Sequence, residues 1–180
     1  MKTILSWVVL GIALQAVPRV AVSDGGIYVG ANIGSVQIED SSTGYAVDDF
    51  ASLTRLVVGL EVNRRFAFEG VYYGSEKTDP SVRFTAERAD FRGFAVYAAG
   101  PVVSDYQGHL QVRLGLFTGT LDVDSTIGDF ENDATGLALG AGYVYHLNDY
   151  FAIRGDLDTF ISDFDRLTSL TIGVQLRFGD

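Results

Sequence analysis

Apolar and polar residues alternate along the last part of the chain, 167–178. Every second residue from Leu170 to Phe178 is apolar. The residues between them are polar or small: Thr171, Gly173, Gln175 and Arg177. Because successive side chains of a β-strand point to opposite faces, this segment predicts a strand with one wholly apolar face and one polar face.

The same alternation recurs in seven earlier segments, which we predict to be strands. They cover 26–38, 55–63, 66–74, part of 82–99, 109–118, 136–147 and 151–158. In the fourth of these, Phe91 and Phe94 fall on opposite faces, so the pattern leaves its register open. No segment of useful length has helical periodicity, and the chain is therefore predicted to be all-β with eight strands.

The connections between these segments alternate in length. Long polar connections follow the first and fifth strands, over 39–53 and 121–135, and shorter polar connections follow the third and seventh, over 75–80 and 160–166. A turn is predicted over 100–107, and only a few residues follow the second and sixth strands. Long outer loops that alternate with tight periplasmic turns are typical of membrane barrels. We predict an eight-stranded antiparallel up-and-down transmembrane β-barrel with a periplasmic N-terminus.

A soluble eight-stranded barrel such as a lipocalin is the main alternative, because it shows the same alternation with inside and outside exchanged. The polar rows favour the membrane barrel, since glycines in them alternate with long charged residues. Glycine would weaken a solvated outer face, whereas small residues beside long ones suit the crowded interior of a narrow barrel.

Six charged residues of the polar rows would then project into the lumen: Glu61, Glu69, Arg113, Arg154, Asp156 and Arg177. Unpaired charges in such an interior cost several kcal/mol each, so we predict that these side chains pair and fill the lumen. A narrow or gated pore, in which the pairs exchange partners, is the alternative. It is disfavoured because eight strands enclose little more than their own side chains.

Aromatic residues cluster near the ends of the predicted strands, as in the belts that mark membrane interfaces. We predict a belt at the periplasmic boundary from Phe66, Phe68, Tyr145, Phe151 and Phe178. At the outer boundary we predict Phe50, Tyr72 and Phe160.

The first 23 residues have the features of a signal peptide, with Lys2 followed by an apolar run over 4–14. We predict cleavage after Ser23, with cleavage after Ala16 as the alternative. The apolar run is too short for a spanning helix, which needs about 20 residues. The remaining residues, 24–180, are predicted to form a single barrel domain.

Charge and cysteine content narrow the functional classes. Removal of the predicted leader takes away Lys2 and Arg19 and no acid, which changes the formal net charge from −10 to −12. Such a charge argues against binding to nucleic acid, whose phosphates demand a basic face. The chain has no cysteine, which excludes a disulfide scaffold, whereas a closed barrel in lipid needs no such cross-links.

Three stretches resemble the small OmpA-like or opacity-type outer-membrane barrel proteins. They are YVGANIG from Tyr28, GAGYVYHLNDYFAIRGDLD from Gly140 and the final LTIGVQLRF. The resemblance implies a Gram-negative outer-membrane location, with lipid and lipopolysaccharide around the barrel and the barrel-assembly machinery and periplasmic chaperones as partners during biogenesis. It also implies a structural or surface-interaction role, through envelope integrity, adhesion or contact of the outer loops with a host or surface ligand.

Catalytic, metal and cofactor sites are not predicted. The only histidines, His109 and His146, have no serine at a useful offset, so a lipid-modifying enzyme is the less favoured alternative to a structural protein or small porin. The segment from Asp122 to Asp133 lacks the central glycine and the terminal glutamate of an EF-hand. As a hypothesis, the acids of the outer loops share divalent cations with lipopolysaccharide phosphates.

Overall fold

Eight antiparallel strands, each hydrogen-bonded to the next, form a closed barrel in which the last strand pairs with the first. The computed structural model describes residues 25–40, 46–75, 86–125, 128–162 and 165–179. The strands are β1 Ile27–Asp40, β2 Ala46–Asn63, β3 Phe66–Ser75, β4 Ala86–Ser104, β5 Gly108–Ser125, β6 Gly128–His146, β7 Phe151–Ser162 and β8 Asp165–Phe178. This arrangement confirms the predicted all-β, eight-stranded up-and-down barrel.

Side chains of each strand alternate between the outer face of the barrel wall and the lumen. On β8, Leu170 and Ile172 point outward and are exposed, whereas Thr171 and Gln175 point inward and are buried. An apolar outer wall around a polar interior is the arrangement of membrane barrels.

The register of β4, which the sequence left open, follows from its pairing with β3. Phe94 lies opposite Tyr72 on the outer face. Phe91 points into the lumen, and its backbone N–H donates to Ser75 Oγ at 2.6 Å. Inward and outward residues therefore alternate from Phe91 to Ala99, as in the other strands.

Several predicted loops were wrong because the strands extend further than the apolar pattern. The segments 39–53, 121–135 and 160–166 are largely strand, and β4 continues through most of the predicted turn at 100–107. The β5–β6 ladder runs as far as the Ser125–Gly128 pair. Beyond the apolar band both faces of the barrel wall meet water, so polar residues there are compatible with strand pairing. Asp133, for example, accepts a hydrogen bond from the hydroxyl of its cross-strand partner Thr120 at 2.9 Å.

One end of the barrel, which we call the turn end, carries the short connections β2–β3, β4–β5 and β6–β7. Each of these turns begins with a residue whose side-chain oxygen accepts hydrogen bonds from backbone N–H groups two or three residues later. These residues are Asn63, Asp105 and Asn148. Such local bonds are the reason why Asn and Asp favour turns. At Asp105 the N–H groups of Gln107 and Gly108, together with the Tyr143 hydroxyl, lower the pKa of the carboxyl.

The opposite end, the loop end, carries the connections that include 41–45, 76–85, 126–127 and 163–164, which lie outside the described residues. The predicted signal peptide, 1–23, also lies outside them, and it stays a prediction. The part of the chain that the structure describes contains no helix of sufficient length and apolarity to cross a membrane.

Candidate functional site

The lumen near the loop end is filled by apolar and aromatic side chains, which we call the aromatic plug. Phe160 lies at its centre, with ring centroids 4.9 Å from Phe117, 5.0 Å from Tyr73 and 6.2 Å from Phe91. The prediction that Phe160 belongs to the outer aromatic belt was wrong. Phe160 follows Asp158 by two residues and so shares its inward face, where it is buried.

Below the aromatic plug lies a buried group of charges, which we call the ionic cluster. Its members are three arginines and three acids: Arg55, Arg113, Arg154, Glu69, Asp156 and Asp158. With equal numbers of cations and anions the cluster has no formal net charge. Burial of these charges is tolerable only if each one is paired and hydrogen-bonded.

Every guanidinium in the ionic cluster contacts at least two carboxylates. Arg154 lies 2.7 Å from Glu69 and 2.8 Å from Asp156. Arg113 lies 2.8 Å from Asp158 and 2.9 Å from Asp156. Arg55 lies 2.6 Å from Asp156 and 3.4 Å from Asp158. Asp156 therefore contacts all three arginines within 2.9 Å, and Glu69 also contacts all three, at 2.7, 3.4 and 3.9 Å.

Two hydroxyls and one amide from the surrounding wall add further hydrogen bonds to the carboxylates of the cluster. The Tyr28 hydroxyl donates to Glu69, and the Tyr73 hydroxyl donates to Asp158 at 3.0 Å. Asn32 donates its amide N–H to Asp156 at 3.1 Å. These bonds tie the cluster to the wall and fix the orientation of its carboxylates.

Glycines on β6 make room for the ionic cluster. A Cβ at Gly142 would collide with the carboxylate of Asp156, and a Cβ at Gly140 would collide with the carboxylate of Asp158 and the guanidinium of Arg113. The close approach of charged side chains to the backbone explains why small and long residues alternate on the inward rows.

The six sequence-predicted lumen residues fall into two places. Glu69, Arg113, Arg154 and Asp156 lie together in the ionic cluster. Glu61 and Arg177 form a separate pair near the turn end, with Arg177 Nη2 2.6 Å from Glu61 Oε2, and both side chains are partly exposed. We call this the mouth pair.

Sequence reasoning missed Arg55 and Asp158 as members of the cluster. Both could have been found from strand parity. Arg55 precedes the inward Val57 by two residues on β2, and Asp158 follows Asp156 by two residues on β7.

The aromatic residues predicted to mark the membrane boundaries lie mostly on the outer wall. Phe68, Phe151 and Phe178 are exposed near the turn end, and Tyr72 is exposed further along β3. The two others are less exposed. Phe66 packs edge-on against Phe68 with centroids 4.7 Å apart, and the Tyr145 hydroxyl donates to Gln107 at 3.3 Å. Their contact with a membrane interface stays a prediction, and the side chain of Phe50 lies outside the described ones.

A cavity of about 200 Å³, which we call the vestibule, opens at the turn end below the ionic cluster. Its lining includes the mouth pair, Gln111 and both histidines. His109 Nδ1 lies 3.3 Å from His146 Nε2, with the rings tilted by 33°. Ser104 lies opposite His109 in the β4–β5 register and also lines the vestibule, although offset along the sequence had excluded a serine near either histidine.

A closed barrel with an apolar outer wall and a charged, filled interior defines an integral membrane β-barrel. The chain belongs to the family described as "Outer membrane protein beta-barrel domain", whose profile matches residues 5–178. Membership implies location in the outer membrane of Gram-negative bacteria. No curated protein sequence matches the chain significantly.

Solved outer-membrane barrels share the fold. Ail of Yersinia pestis, solved in complex with the heparin analogue sucrose octasulfate, has a TM-score of 0.65 at 20% identity, over 86% of this chain and 99% of Ail. Neisserial surface protein A has a TM-score of 0.66 at 16% identity, over 84% of this chain and 97% of the neisserial protein. OprG of Pseudomonas aeruginosa has a TM-score of 0.67 at 13% identity, over 87% of this chain and 97% of OprG. At such identities the similarity establishes the fold alone.

Proposed function

We propose that this protein is a non-conducting structural barrel of the outer membrane that contacts its surroundings through its outer loops. The single observation that supports this proposal is the stacking of the aromatic plug on the ionic cluster. Side chains of both groups are buried and occupy successive levels of the lumen. An eight-stranded barrel whose interior is filled in this way has no space for a standing water column.

Opening the lumen would require several buried ion pairs to separate together. Breaking one buried pair and leaving its partner without compensation costs about 3–5 kcal/mol. Because Asp156 contacts all three arginines of the cluster, movement of any one guanidinium perturbs the others. The cluster therefore favours a permanently closed barrel.

Single-channel recording tests the closed barrel. Protein purified from outer membranes and inserted into planar bilayers is expected to give no steady unit conductance. Arg177→Gln, which alters only the mouth pair, is the matched control and is likewise expected to give no steady unit conductance. Steady openings of the unmodified protein that Arg113→Ala or Glu69→Ala abolish would overturn the proposal.

A small porin is the second candidate, and the vestibule is the observation that favours it. The vestibule gives water access to the lumen from the turn end, which we propose to be periplasmic, so only the ionic cluster and the aromatic plug separate it from the other side. Steady conductance in the same recordings is the result that would select the porin.

The outer loops are the proposed contact surface. The segment 121–135, which comprises the loop-end parts of β5 and β6 and the connection between them, contains five acids and no basic residue: Asp122, Asp124, Asp129, Glu131 and Asp133. A sulfated polyanion such as the ligand seen with Ail is therefore unfavourable here on electrostatic grounds. We propose instead a cationic or neutral partner, or lipopolysaccharide phosphates bridged by divalent cations. Loop mobility in spectra of the reconstituted protein that does not respond to Mg²⁺ would contradict the bridging.

We propose that the barrel is not an enzyme. A hydrolase needs a nucleophile within hydrogen-bond reach of its base. Within the described part of the chain, the Ser104 hydroxyl makes no hydrogen bond to His109 or His146. An unchanged mass spectrum of lipid A after overexpression is expected, and a new acylation state would contradict this proposal.

A further inference from the structure

The two histidines reach the vestibule from neighbouring strands. His109 on β5 lies opposite Val144 on β6, and His146 follows Val144 by two residues on the same inward face. The imidazoles are therefore diagonal neighbours across one antiparallel pair, a separation that long side chains can bridge. His146 ends β6 just before the β6–β7 turn, and His109 lies at the start of β5 just after the β4–β5 turn. The His146 N–H donates to the Gln107 carbonyl at 2.7 Å, so strand pairing holds both backbones before any ligand arrives.

The distance between the facing nitrogens matches a shared metal ion. Nδ1 of His109 and Nε2 of His146 are 3.3 Å apart. Two imidazole nitrogens that bind Zn²⁺ at 2.0–2.1 Å with a tetrahedral angle are separated by about 3.3–3.4 Å. A direct hydrogen bond would be at the long end of the usual range. We propose that His109 and His146 form an open binding site for a divalent first-row transition-metal ion such as Zn²⁺.

The chemistry of the surroundings fits an open site with exchangeable water ligands. Among the described residues no group of three or more His, Cys, Asp or Glu side chains is arranged to hold a metal. In this proposal the protein supplies two imidazoles, one ligand fewer than in catalytic zinc sites, and water from the vestibule completes the coordination.

Gln111 lies beside the site. It follows His109 by two residues on the same inward row of β5, lines the vestibule and is buried. Its amide nitrogen has no hydrogen-bond partner in the described part of the chain, so this donor is free to bind a water of the vestibule.

The neighbouring positive charges do not exclude a cation. Arg177, which lines the same vestibule, is paired with Glu61 at 2.6 Å. Arg154, in the ionic cluster, contacts Glu69 and Asp156 at 2.7 and 2.8 Å. Arg64 also lines the vestibule, from the exposed β2–β3 turn, where water screens its charge. The two imidazoles therefore share the vestibule with one paired guanidinium and one exposed guanidinium.

The experiment uses tag-free protein purified from outer membranes into detergent micelles and treated with a chelator. Cu²⁺ serves as the spectroscopic probe, because electron paramagnetic resonance detects coupling to imidazole nitrogen and carboxylates give none. We expect one Cu²⁺ per barrel with coupling to two nitrogens, and displacement of this signal by Zn²⁺. Calorimetry with Zn²⁺ alone measures the affinity.

Single substitutions distinguish the site from other metal-binding groups. His109→Gln and His146→Gln are each expected to weaken Zn²⁺ binding by at least roughly tenfold, the lower limit for loss of a group that only orients a ligand. Tyr150→Ala, on the exposed β6–β7 turn, is the control and is expected to leave binding unchanged. Folding of each variant is checked by its migration on gels before and after heating.

A Cu²⁺ spectrum without nitrogen coupling would overturn the proposal and leave the histidines as a hydrogen-bonded pair. Unchanged Zn²⁺ affinity in both glutamine variants would do the same and would assign the binding to loop acids. Neither outcome bears on whether the barrel conducts, so this test stands apart from the proposed function.

Discussion

The ionic cluster and the mouth pair contain ion pairs of the same length in very different surroundings. Arg55 and Asp156 approach to 2.6 Å with both side chains fully buried. Arg177 and Glu61 approach to the same 2.6 Å, but their side chains are 40% and 24% exposed. The comparison teaches that burial, and not distance, decides what an ion pair contributes, because water can solvate a charge at the mouth and cannot reach one in the cluster.

Removal of a carboxylate from the centre of the ionic cluster should have the largest effect. Asp156→Ala leaves three arginines facing two acids, and an uncompensated buried charge costs about 3–5 kcal/mol. We expect the free energy of unfolding to fall by that amount in urea titrations of the barrel in lipid vesicles. A loss below about 1 kcal/mol, the range of a surface pair, would show that the cluster is solvated.

Overfilling the cluster from β6, where Gly142 pairs with Asp156 of β7, should have an intermediate effect. Gly142→Ala places a methyl group against the Asp156 carboxylate, and we expect a loss of about 1–3 kcal/mol, as for overpacked cores. The measurement is the same urea titration.

Gly155→Ala is the matched control for that substitution. It lies on the neighbouring strand, and a Cβ there would meet only one backbone oxygen, at 3.9 Å. We expect no loss of stability from it. Equal losses at both positions would mean that strand glycines matter for the backbone and not for the cluster.

Neutralisation of the mouth pair should have the smallest effect. Glu61→Gln is expected to change the free energy of unfolding by about 0–1 kcal/mol, with a smaller change at high salt, because a partly exposed pair is screened. Unfolding curves at low and high ionic strength measure both quantities. A loss as large as that of Asp156→Ala would remove the distinction between the two regions.

The wall of the barrel could be predicted from sequence because period-two alternation is a local property. The pattern in 167–178 was sufficient to place the inward and outward rows of β8. Strand ends were less predictable, since the ladder between Thr120 and Asp133 continues beyond the apolar band, where polar residues are no longer a sign of loops. Phe160 was assigned to the outer belt by residue type, although its parity with Asp158 puts it inside.

The lumen groups could be predicted only in part. The charges at 69, 113, 154 and 156 were visible as members of polar rows, but which of them meet depends on the stagger of the strands. The histidine pair shows this limit most clearly. His109 and His146 are 37 residues apart in sequence, and only the β5–β6 register brings their rings together.

The most direct test of which face of the barrel wall meets lipid uses tryptophan as a probe on the outer face. The only tryptophan of the chain, Trp7, lies in the predicted leader and is replaced by phenylalanine in all variants. Single tryptophans are then introduced at Ile172 and Val174 of the outer wall. The control variant carries its tryptophan at Tyr106, a fully exposed turn residue. We predict that brominated acyl chains quench fluorescence at 172 and 174 and that only aqueous iodide quenches it at 106. Quenching of 172 and 174 by iodide, in protein that stays folded and dissolved without detergent, would contradict a lipid-facing apolar wall.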